Sequence, residues 1–541
     1  MLRRIDRFII ALTLLTLVGT LGLQVNPWPR DGWFESQYFV IGSFPGHDNY
    51  TPIAAPALLY LAAHGIAVLL GLGLAGEFYV ASILQNLLLL LSAYFVYRTL
   101  VLSRMRGVAG PIAVIFLLTA LSTRLPQGFY SENTVLFLIS AVLLALASTI
   151  DEPGASGGKF WIKALVCGLL VGLAVLTRLT PLILIPAITL LLWSRLPRKR
   201  SIQFAGSLIA ISALLLAGTV LGNHARFGRY ELTNSSGRHL WQGVKDFSDA
   251  ALANSSDYQA LKRIDPHIEG KSWWEISPIP PDDYTGPDPR EPLLRKLSRE
   301  AILEAPGLYL LEGVEKFVAT VGVGPYLPDK QRGGANPLNR TEFLPSLAIL
   351  MHVPAAVSGA VEAGFRGVHE AFRRLYVITI FLIVASGIAM LLERLARRDV
   401  RRGADRRRAR ILLITLFVAA SAPVALLPVA DVGFKLSAIG ASVLCLVLLG
   451  VFAPLLGRTL HDRTDFEPGD ARISFFLFSA FVFFGSLWGS WQLEYPGPRY
   501  VVPYLSLWSI QLAVSISYWM QQWAALRAGK SDLVAATRCE A

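Results

Sequence analysis

Long runs of apolar residues, separated by short polar stretches, dominate the chain. Many runs approach the roughly 20 residues that an α-helix needs to cross the hydrocarbon core of a bilayer. The chain has 541 residues, of which 53% are hydrophobic, and its mean hydropathy is +0.50. This pattern predicts an all-α polytopic membrane protein and excludes a soluble globular one.

The basic residues gather in short loops between the apolar runs. The strongest clusters are Arg3/Arg4/Arg7, residues 195–200 and residues 394–410, and Arg98, Arg104 and Arg106 form a weaker one. Clusters of this kind mark cytoplasmic loops, so the formal charge of +12 indicates topology and not a nucleic-acid partner. An even number of crossings must separate each pair of clusters.

That rule predicts about twelve transmembrane helices, with both termini cytoplasmic. The run at 52–75 contains two prolines, a histidine and several glycines, and we assign it to a helix in the outer interface. The predicted crossings are 8–24, 78–97, 110–125, 133–149, 162–178, 180–195, 203–222, 375–392, 411–429, 436–456, 473–490 and 500–520.

Three regions follow from this topology. Residues 1–222 form an N-terminal transmembrane module with an external first loop at 25–77, and residues 374–541 form the C-terminal transmembrane helices. Residues 223–373 form a large external loop region. Within it we expect an irregular loop at 246–289, an amphipathic helix at 291–321 and a weaker amphipathic pattern at 344–372.

The first external loop is the candidate active site. It lies between two apolar segments and contains the carboxylates Asp31, Glu35 and Asp48. Burying an unpaired charge in hydrocarbon costs several kcal/mol, so these side chains are expected at the lipid boundary or in a wet cavity.

Other charges at predicted helix ends fall on the same external side. Arginine suits bidentate binding of a phosphate, and a nearby carboxylate suits proton abstraction from a hydroxyl. Together these charges predict group transfer from a phosphate-linked donor in an outward-facing cavity. They are Asp31, Glu35, Asp48, Arg124, Glu132, Arg178, Asp431, Lys435, Glu494 and Arg499.

Each candidate also has a simpler interpretation. Glu132 fits a first-turn acid that interacts with the helix dipole, and Arg178 fits a side chain that extends from a hairpin tip to the interface. Arg499 and Tyr500 fit an interfacial anchor, and Asp31 fits a turn residue.

Taken in order, several short motifs resemble those of the GT-C membrane glycosyltransferases. The closest resemblance is to the branch that contains the protein O-mannosyltransferases and the lipid A aminoarabinose transferase, and it covers most of the chain. The motifs are Asp31-Gly-Trp-Phe-Glu35-Ser-Gln-Tyr38, Tyr50-Thr-Pro52 through Tyr60, Tyr130-Ser-Glu132-Asn, Gly172 through Pro181, Asn223 through Gly237 and Glu494-Tyr-Pro-Gly-Pro-Arg499-Tyr500.

The resemblance implies a polyprenyl-phosphate-linked sugar donor, an external active site and inversion at the anomeric carbon. It implies that Asp31 is the catalytic base. The branch often has adjacent acids in its first motif, whereas Gly32 follows Asp31 here and the next acid is Glu35, so Asp48 is the alternative base.

By the same resemblance, the phosphate-side positions are Glu132, Arg178, Arg499 and Tyr500. The expected partners are the lipid-linked donor, a hydroxyl acceptor on a lipid, glycan or protein, and membrane lipids. No cofactor is predicted, because no His/Asp/Glu spacing matches a metal site, although a divalent ion is compatible with an acid beside a phosphate. A transporter or flippase for lipid-linked sugars would use the same charges as a translocation path.

Overall fold

The computed structural model describes most of the chain between residues 54 and 313 and parts of the C-terminal region. The described residues are 54–72, 74–122, 131–152, 157–228, 230–232, 236–264, 266–271, 290–313, ten positions between 376 and 390, 470–493 and 501–539. The predicted first loop up to residue 53 and the crossings at 8–24, 411–429 and 436–456 lie outside them.

Apolar helices form a bundle that accounts for most of the described chain, and no strand occurs in the described residues. Two short 3₁₀ segments, Thr180–Ile183 and Val502–Tyr504, lie directly before the helices that begin at Leu184 and Leu505. The bundle helices are α1 (Ala54–Leu69), α2 (Leu74–Leu102), α3 (Arg106–Ser122), α4 (Ser131–Asp151), α5 (Gly157–Thr177), α6 (Leu184–Arg195), α7 (Arg198–Phe227), α12 (Asp470–Leu493) and α13 (Leu505–Cys539).

Four stretches of these helices are long and apolar enough to cross a membrane: Ile83–Leu102, Glu132–Asp151, Gly157–Thr177 and Arg198–Ala225. They correspond to the crossings predicted at 78–97, 133–149, 162–178 and 203–222. Shorter apolar helices occupy the predicted crossings at 110–125, 180–195 and 473–490. The membrane character of the chain is therefore supported over its described part.

Helix α1 occupies the run that we assigned to the outer interface. It packs against α2 and α5, and Tyr60 and Ala63 are buried against Val80 and Ala81 of α2. Its other face leaves Leu58, Leu61 and Leu69 exposed. The helix is present, whereas its position relative to the membrane stays a prediction.

Local sequence explains the tight turns between the bundle helices. Arg104 has a positive φ of 62°, and the amide of Met105 donates to the carbonyl of Leu100, which closes the end of α2 before α3 begins. At the other turn Leu196 is extended because proline follows it, and Pro197 then precedes the first turn of α7.

Two glycines bring α5 and α7 into close contact. A Cβ atom on Gly168 would lie 3.0 Å from the Cβ of Ile211, and one on Gly172 would lie 2.6 Å from a methyl carbon of Leu215. The Ser212 hydroxyl donates to the carbonyl of Gly168 at 3.2 Å. This small-residue spacing is typical of helix pairs in membranes, where close backbone approach replaces the hydrophobic driving force.

The C-terminal helices pack onto this N-terminal bundle. The Arg195 guanidinium at the end of α6 donates to the Ser474 hydroxyl near the start of α12 at 3.1 Å. Trp508 and Trp519 of α13 donate their indole N–H groups to Thr379 and to Ser386, which belong to the helical positions between 376 and 390.

A second hydrophobic core lies in the region after α7. Its helices are α8 (Ser236–Val244), α9 (Ser248–Ala251), α10 (Ser256–Ile264) and α11 (Arg290–Glu304), with a 3₁₀ turn at Lys245–Phe247. We call these elements the α8–α11 unit. Its buried side chains are Trp241, Val244, Phe247, Leu252, Tyr258, Leu261, Ile268, Leu294, Leu297 and Ala301.

The expectation of an irregular loop at 246–289 is wrong for most of its described part, although residues 252–255 and 266–271 are irregular. Residues 246–251 and 256–264 are helical, and residues 272–289 lie outside the described chain. Each helix is too short to show a periodic pattern, since α9 has four residues and α10 has nine. These short helices are stabilised by burial against α11, and their local sequence does not reveal that contact.

The predicted helix at 291–321 is confirmed over its described residues, 290–313. Leu294 and Leu297 are buried, as their spacing predicts, whereas Leu308 and Leu311 are exposed. The helix is interrupted at Ala305, the residue before Pro306, because proline disfavours a helical conformation in the residue that precedes it.

Two carboxyl groups interact at the surface of the α8–α11 unit. Burial raises the pKa of Asp249, but hydrogen bonds from Lys262 and Tyr258 outweigh it, so the net pKa is lowered. Partial burial and the negative charge of Asp249, with which it shares a hydrogen bond, raise the pKa of Glu269. Protonation of Glu269 therefore favours the folded unit.

We predict that Gly168→Leu lowers the free energy of unfolding by about 1–3 kcal/mol, because its side chain must push α7 away from α5. Gly218→Leu is the matched control, since a Cβ at Gly218 on α7 meets no atom within 4 Å. Thermal unfolding of both variants in detergent tests this. Equal melting temperatures for the two variants would contradict the close packing of α5 and α7.

We also predict that Glu269→Gln stabilises the α8–α11 unit at neutral pH. A carboxyl group whose pKa is raised by folding loses stabilisation as the pH increases from the unfolded value of about 4.5 through its folded pKa. Because Glu269 is exposed, the gain should stay below about 1 kcal/mol. Hydrogen exchange of the unit at acidic and neutral pH measures it, and the difference between variant and wild type should vanish in acid.

Candidate functional site

Four segments meet at one end of the bundle. They are the first turn of α4, the residues just after α5, the 3₁₀ segment Thr180–Ile183 and the 3₁₀ segment Val502–Tyr504. Val502–Tyr504 packs against α4, and Thr180–Ile183 packs against α5 and α12. Polar side chains from segments far apart in sequence are therefore close together in an otherwise apolar bundle.

The sequence explains why the chain breaks beside Arg178. Helix α5 ends at Thr177, and Pro181 occupies the first turn of the following 3₁₀ segment. Proline lacks the amide that would continue α5, and its fixed φ suits a new helix start. Arg178 therefore lies between two helices instead of within one, and its amide still donates to the carbonyl of Ala174.

Arg178 forms an ion pair with Glu132 in the first turn of α4. A guanidinium nitrogen of Arg178 donates to Oε1 of Glu132. The side chain of Glu132 is 0% exposed and that of Arg178 is 17% exposed. The carboxylate is thus held inside the bundle, and the guanidinium covers it on the side closer to solvent.

The burial of this pair has an energetic consequence. Removing two charges from water costs several kcal/mol for each ion, and their attraction repays this only with good geometry and further hydrogen bonds. Replacement by apolar side chains of similar size is often neutral or stabilising. Stability alone therefore gives little reason for a charged pair at this position.

Other polar groups surround the pair. The Asn133 side-chain amide donates to the carbonyl of Gln85 on α2 at 2.6 Å, and both residues are buried. The Tyr504 hydroxyl donates to the Thr180 hydroxyl at 2.6 Å. Tyr504 also lies close enough to Arg178 for an electrostatic interaction.

Helix α12 forms a further wall. A Cβ atom on Gly485 would lie 2.3 Å from a methyl carbon of Ile183, so α12 and the Thr180–Ile183 segment are in close contact here. The next residue, Ser486, is buried and its hydroxyl interacts with Tyr504. The close contact at Gly485 lies where α12 packs against Thr180–Ile183, the segment whose Thr180 accepts the Tyr504 hydrogen bond.

Gln85 of α2 contributes a buried polar atom that has no hydrogen-bond partner in the described part of the chain. The side-chain oxygen Oε1 of Gln85 is buried and accepts no hydrogen bond there, although the Gln85 backbone carbonyl is bonded to Asn133. Most buried polar atoms in native structures have a hydrogen-bond partner, and a bound water or ion is one explanation for an atom that has none. Gln85 is therefore a further polar group that the site can offer.

The structure brings together two of the predicted site residues, Glu132 and Arg178. Asp31, Glu35, Asp48, Arg499 and Tyr500 lie outside the described residues. The predicted roles of all seven residues stay predictions.

The simpler interpretations of the pair are each incomplete. Glu132 does lie in the first turn of α4, where the helix dipole favours an acid, but it also accepts a hydrogen bond from Arg178. Arg178 does follow the end of a helix, yet its side chain contacts a buried carboxylate and is mostly shielded from solvent.

Sequence reasoning missed Gln85, Thr180, Ser486 and Tyr504 as members of this region. Tyr504 carries a usable signal, because it follows a proline at the start of an apolar run and only four residues after Tyr500. Gln85 is the only amide in the long apolar run of α2 apart from Asn86, which immediately follows it. Ser486 has no such signal, because single serines are common in apolar helices.

The described residues contain no group of three or more His, Cys, Asp or Glu side chains that could hold a metal ion. The three acids of the first loop are not among these residues, so the expectation that no metal is needed stays a prediction. Chemically, the described arrangement offers an oriented guanidinium for an anion, with hydroxyl and amide groups nearby.

Comparison with family models, with curated proteins and with solved structures finds no match for this chain.

We predict that Arg178→Gln lowers the free energy of unfolding by about 3–5 kcal/mol, because it leaves the buried Glu132 carboxylate without its guanidinium. The double variant Glu132→Gln/Arg178→Gln should recover a large part of this loss. Thermal unfolding of the two single variants and the double variant forms the required cycle. Additive losses in the double variant would show that the two side chains are not coupled.

Proposed function

We propose that the protein is an integral membrane glycosyltransferase. It transfers a sugar from a polyprenyl-phosphate donor to a hydroxyl acceptor, with inversion at the anomeric carbon. The active site lies on the periplasmic or extracellular face of a cell membrane that the chain crosses about twelve times, with both termini in the cytoplasm.

The buried pair of Glu132 and Arg178 is the observation that carries this proposal. A guanidinium at a break between apolar helices can bind a lipid-linked phosphate while the lipid tail lies against the neighbouring helices. Glu132 orients the guanidinium by hydrogen bonding and is therefore a positioning residue in this scheme. The motifs that resemble the GT-C glycosyltransferases include both residues, which supports the same assignment.

The reaction requires a base, an electrophile and a leaving group. Asp31, or Asp48 in its place, accepts the proton of the acceptor hydroxyl while that oxygen attacks the anomeric carbon. The bond between the anomeric carbon and the phosphate oxygen breaks, and its electron pair leaves with polyprenyl phosphate. Arg178 and Arg499 stabilise the negative charge that grows on this leaving group.

The rest of the predicted site fits the same scheme. Glu35 lies in the same loop as Asp31 and is a further candidate for contact with the acceptor. Tyr500 follows Arg499 in the sequence, and both come just before Val502–Tyr504, which contacts α4. The order of these residues supports a donor phosphate held between the end of α5 and the start of α13.

We expect purified protein to transfer radiolabelled sugar from at least one polyprenyl-phosphate donor. Asp31→Asn should reduce the transfer rate by about 100-fold or more, since general-base catalysis typically contributes that much. Donor binding should be retained, because the base acts on the acceptor. Asp151→Asn, which replaces an exposed acid at the far end of α4, is the matched control.

The outcomes separate the alternatives. If Asp48→Asn abolishes transfer and Asp31→Asn does not, the protein is still a glycosyltransferase and its catalytic base is Asp48. If the wild-type protein transfers no sugar from any donor but moves labelled lipid across liposome membranes, the glycosyltransferase proposal is contradicted. The protein would then be a carrier of lipid-linked sugars.

A further inference from the structure

A cavity lies between the end of α7 and helix α11, in a part of the molecule that the proposed reaction does not use. Its volume is about 580 Å³. The residues that line it are Tyr230, Glu231, Pro292, Arg295, Lys296 and Arg299. We call it the α7–α11 groove.

One wall of the groove is fixed to the last turn of α7. Gly228 ends this helix with a φ of 70°, and its amide donates to the carbonyl of His224. The chain then folds back, so that the ring of Tyr230 stacks on that of His224 with centroids 3.7 Å apart. The Asn223 side chain donates to the carbonyl of Glu231 at 2.9 Å, which holds this turn in place.

Helix α11 supplies the other wall. Leu294 and Leu297 are buried in the core of the α8–α11 unit, which fixes the rotation of the helix about its axis. Arg295 and Arg299 are one helical turn apart and line the groove together with Lys296. The sequence of α11 thus separates an apolar face from a basic one.

The charges of the groove are unequal. Three cations line it, and Glu231 is the one lining carboxylate. Arg295 donates to both oxygens of Glu231, at 2.6 and 3.4 Å, and Lys296 pairs with Asp257 of α10. Arg299 is exposed and has no ion pair in the described part of the chain. Its guanidinium is therefore available to an anion that enters the groove.

The groove also lies close to the end of a candidate membrane span. The span Arg198–Ala225 belongs to α7, and Tyr230 follows a few residues later. Helices α5 and α7 are parallel and connected through the antiparallel α6, so the groove and Arg178 are at the same end of the bundle. Tyrosine and basic side chains are enriched at the ends of membrane spans, where lipid headgroups lie.

We propose that the α7–α11 groove binds a phosphate group, with Arg299 and Lys296 as its principal ligands and Arg295 held in position by Glu231. An arginine next to a lysine on one helix face offers charge-assisted hydrogen bonds to phosphate oxygens. The phosphate belongs to a membrane lipid headgroup or to a soluble phosphate compound. This proposal does not depend on the proposed glycosyltransferase activity.

Binding of acyl-labelled phosphatidylglycerol to the full-length protein in detergent micelles tests the proposal. We expect Arg299→Gln to weaken this binding about tenfold, because it removes one charge-assisted contact to the phosphate. Arg263→Gln, which removes an exposed cation of α10 outside the groove, should leave the affinity unchanged. Acyl-labelled diacylglycerol, which has no phosphate, should bind wild type and Arg299→Gln equally.

Competition with inorganic phosphate identifies the source of the ligand. Displacement of the labelled lipid indicates a site for soluble phosphate compounds, and resistance to displacement indicates a lipid headgroup site. Arg299→Gln changes only an exposed side chain, so its unfolding temperature should match that of wild type. Equal affinity in Arg299→Gln and wild type, or equal weakening by Arg263→Gln, would overturn the proposal.

Discussion

The ion pair between Glu132 and Arg178 joins two parts of the bundle that sequence separates by 46 residues. It links the first turn of α4 to the break after α5, and the segments Thr180–Ile183 and Val502–Tyr504 gather beside it. A buried carboxylate in an apolar bundle requires such a partner, because hydrocarbon offers no water to replace it. The position of Arg178, and with it the turn into α6, is therefore constrained by charge as well as by packing.

Much of the bundle could be predicted from hydropathy, because an apolar helix of membrane length needs little tertiary information to be recognised. The crossings predicted at 133–149 and 162–178 correspond closely to Ser131–Asp151 and Gly157–Thr177. The same reasoning located Glu132 and Arg178 at the ends of these helices. It did not reveal their contact, which depends on how α4 and α5 pack.

The α8–α11 unit shows why the rest could not be predicted. Phe247 and Tyr258 lie in elements of three and nine residues and Leu252 directly follows one of four, so no hydrophobic period is visible. Their burial depends on α11, which is distant in sequence. Ser486 and Gln85 are similar cases at the candidate site, because their positions become meaningful only once α12 and α2 have packed against their neighbours.

The close contact of α5 and α7 through Gly168 and Gly172 also has a mechanical consequence. Ile211 and Leu215 pack directly against these glycines, so a shift of one helix along the other would have to break these contacts. Arg178 follows the end of α5, and the α8–α11 unit follows the end of α7. A displacement of α7 would therefore also move the end of α5, which Arg178 follows directly.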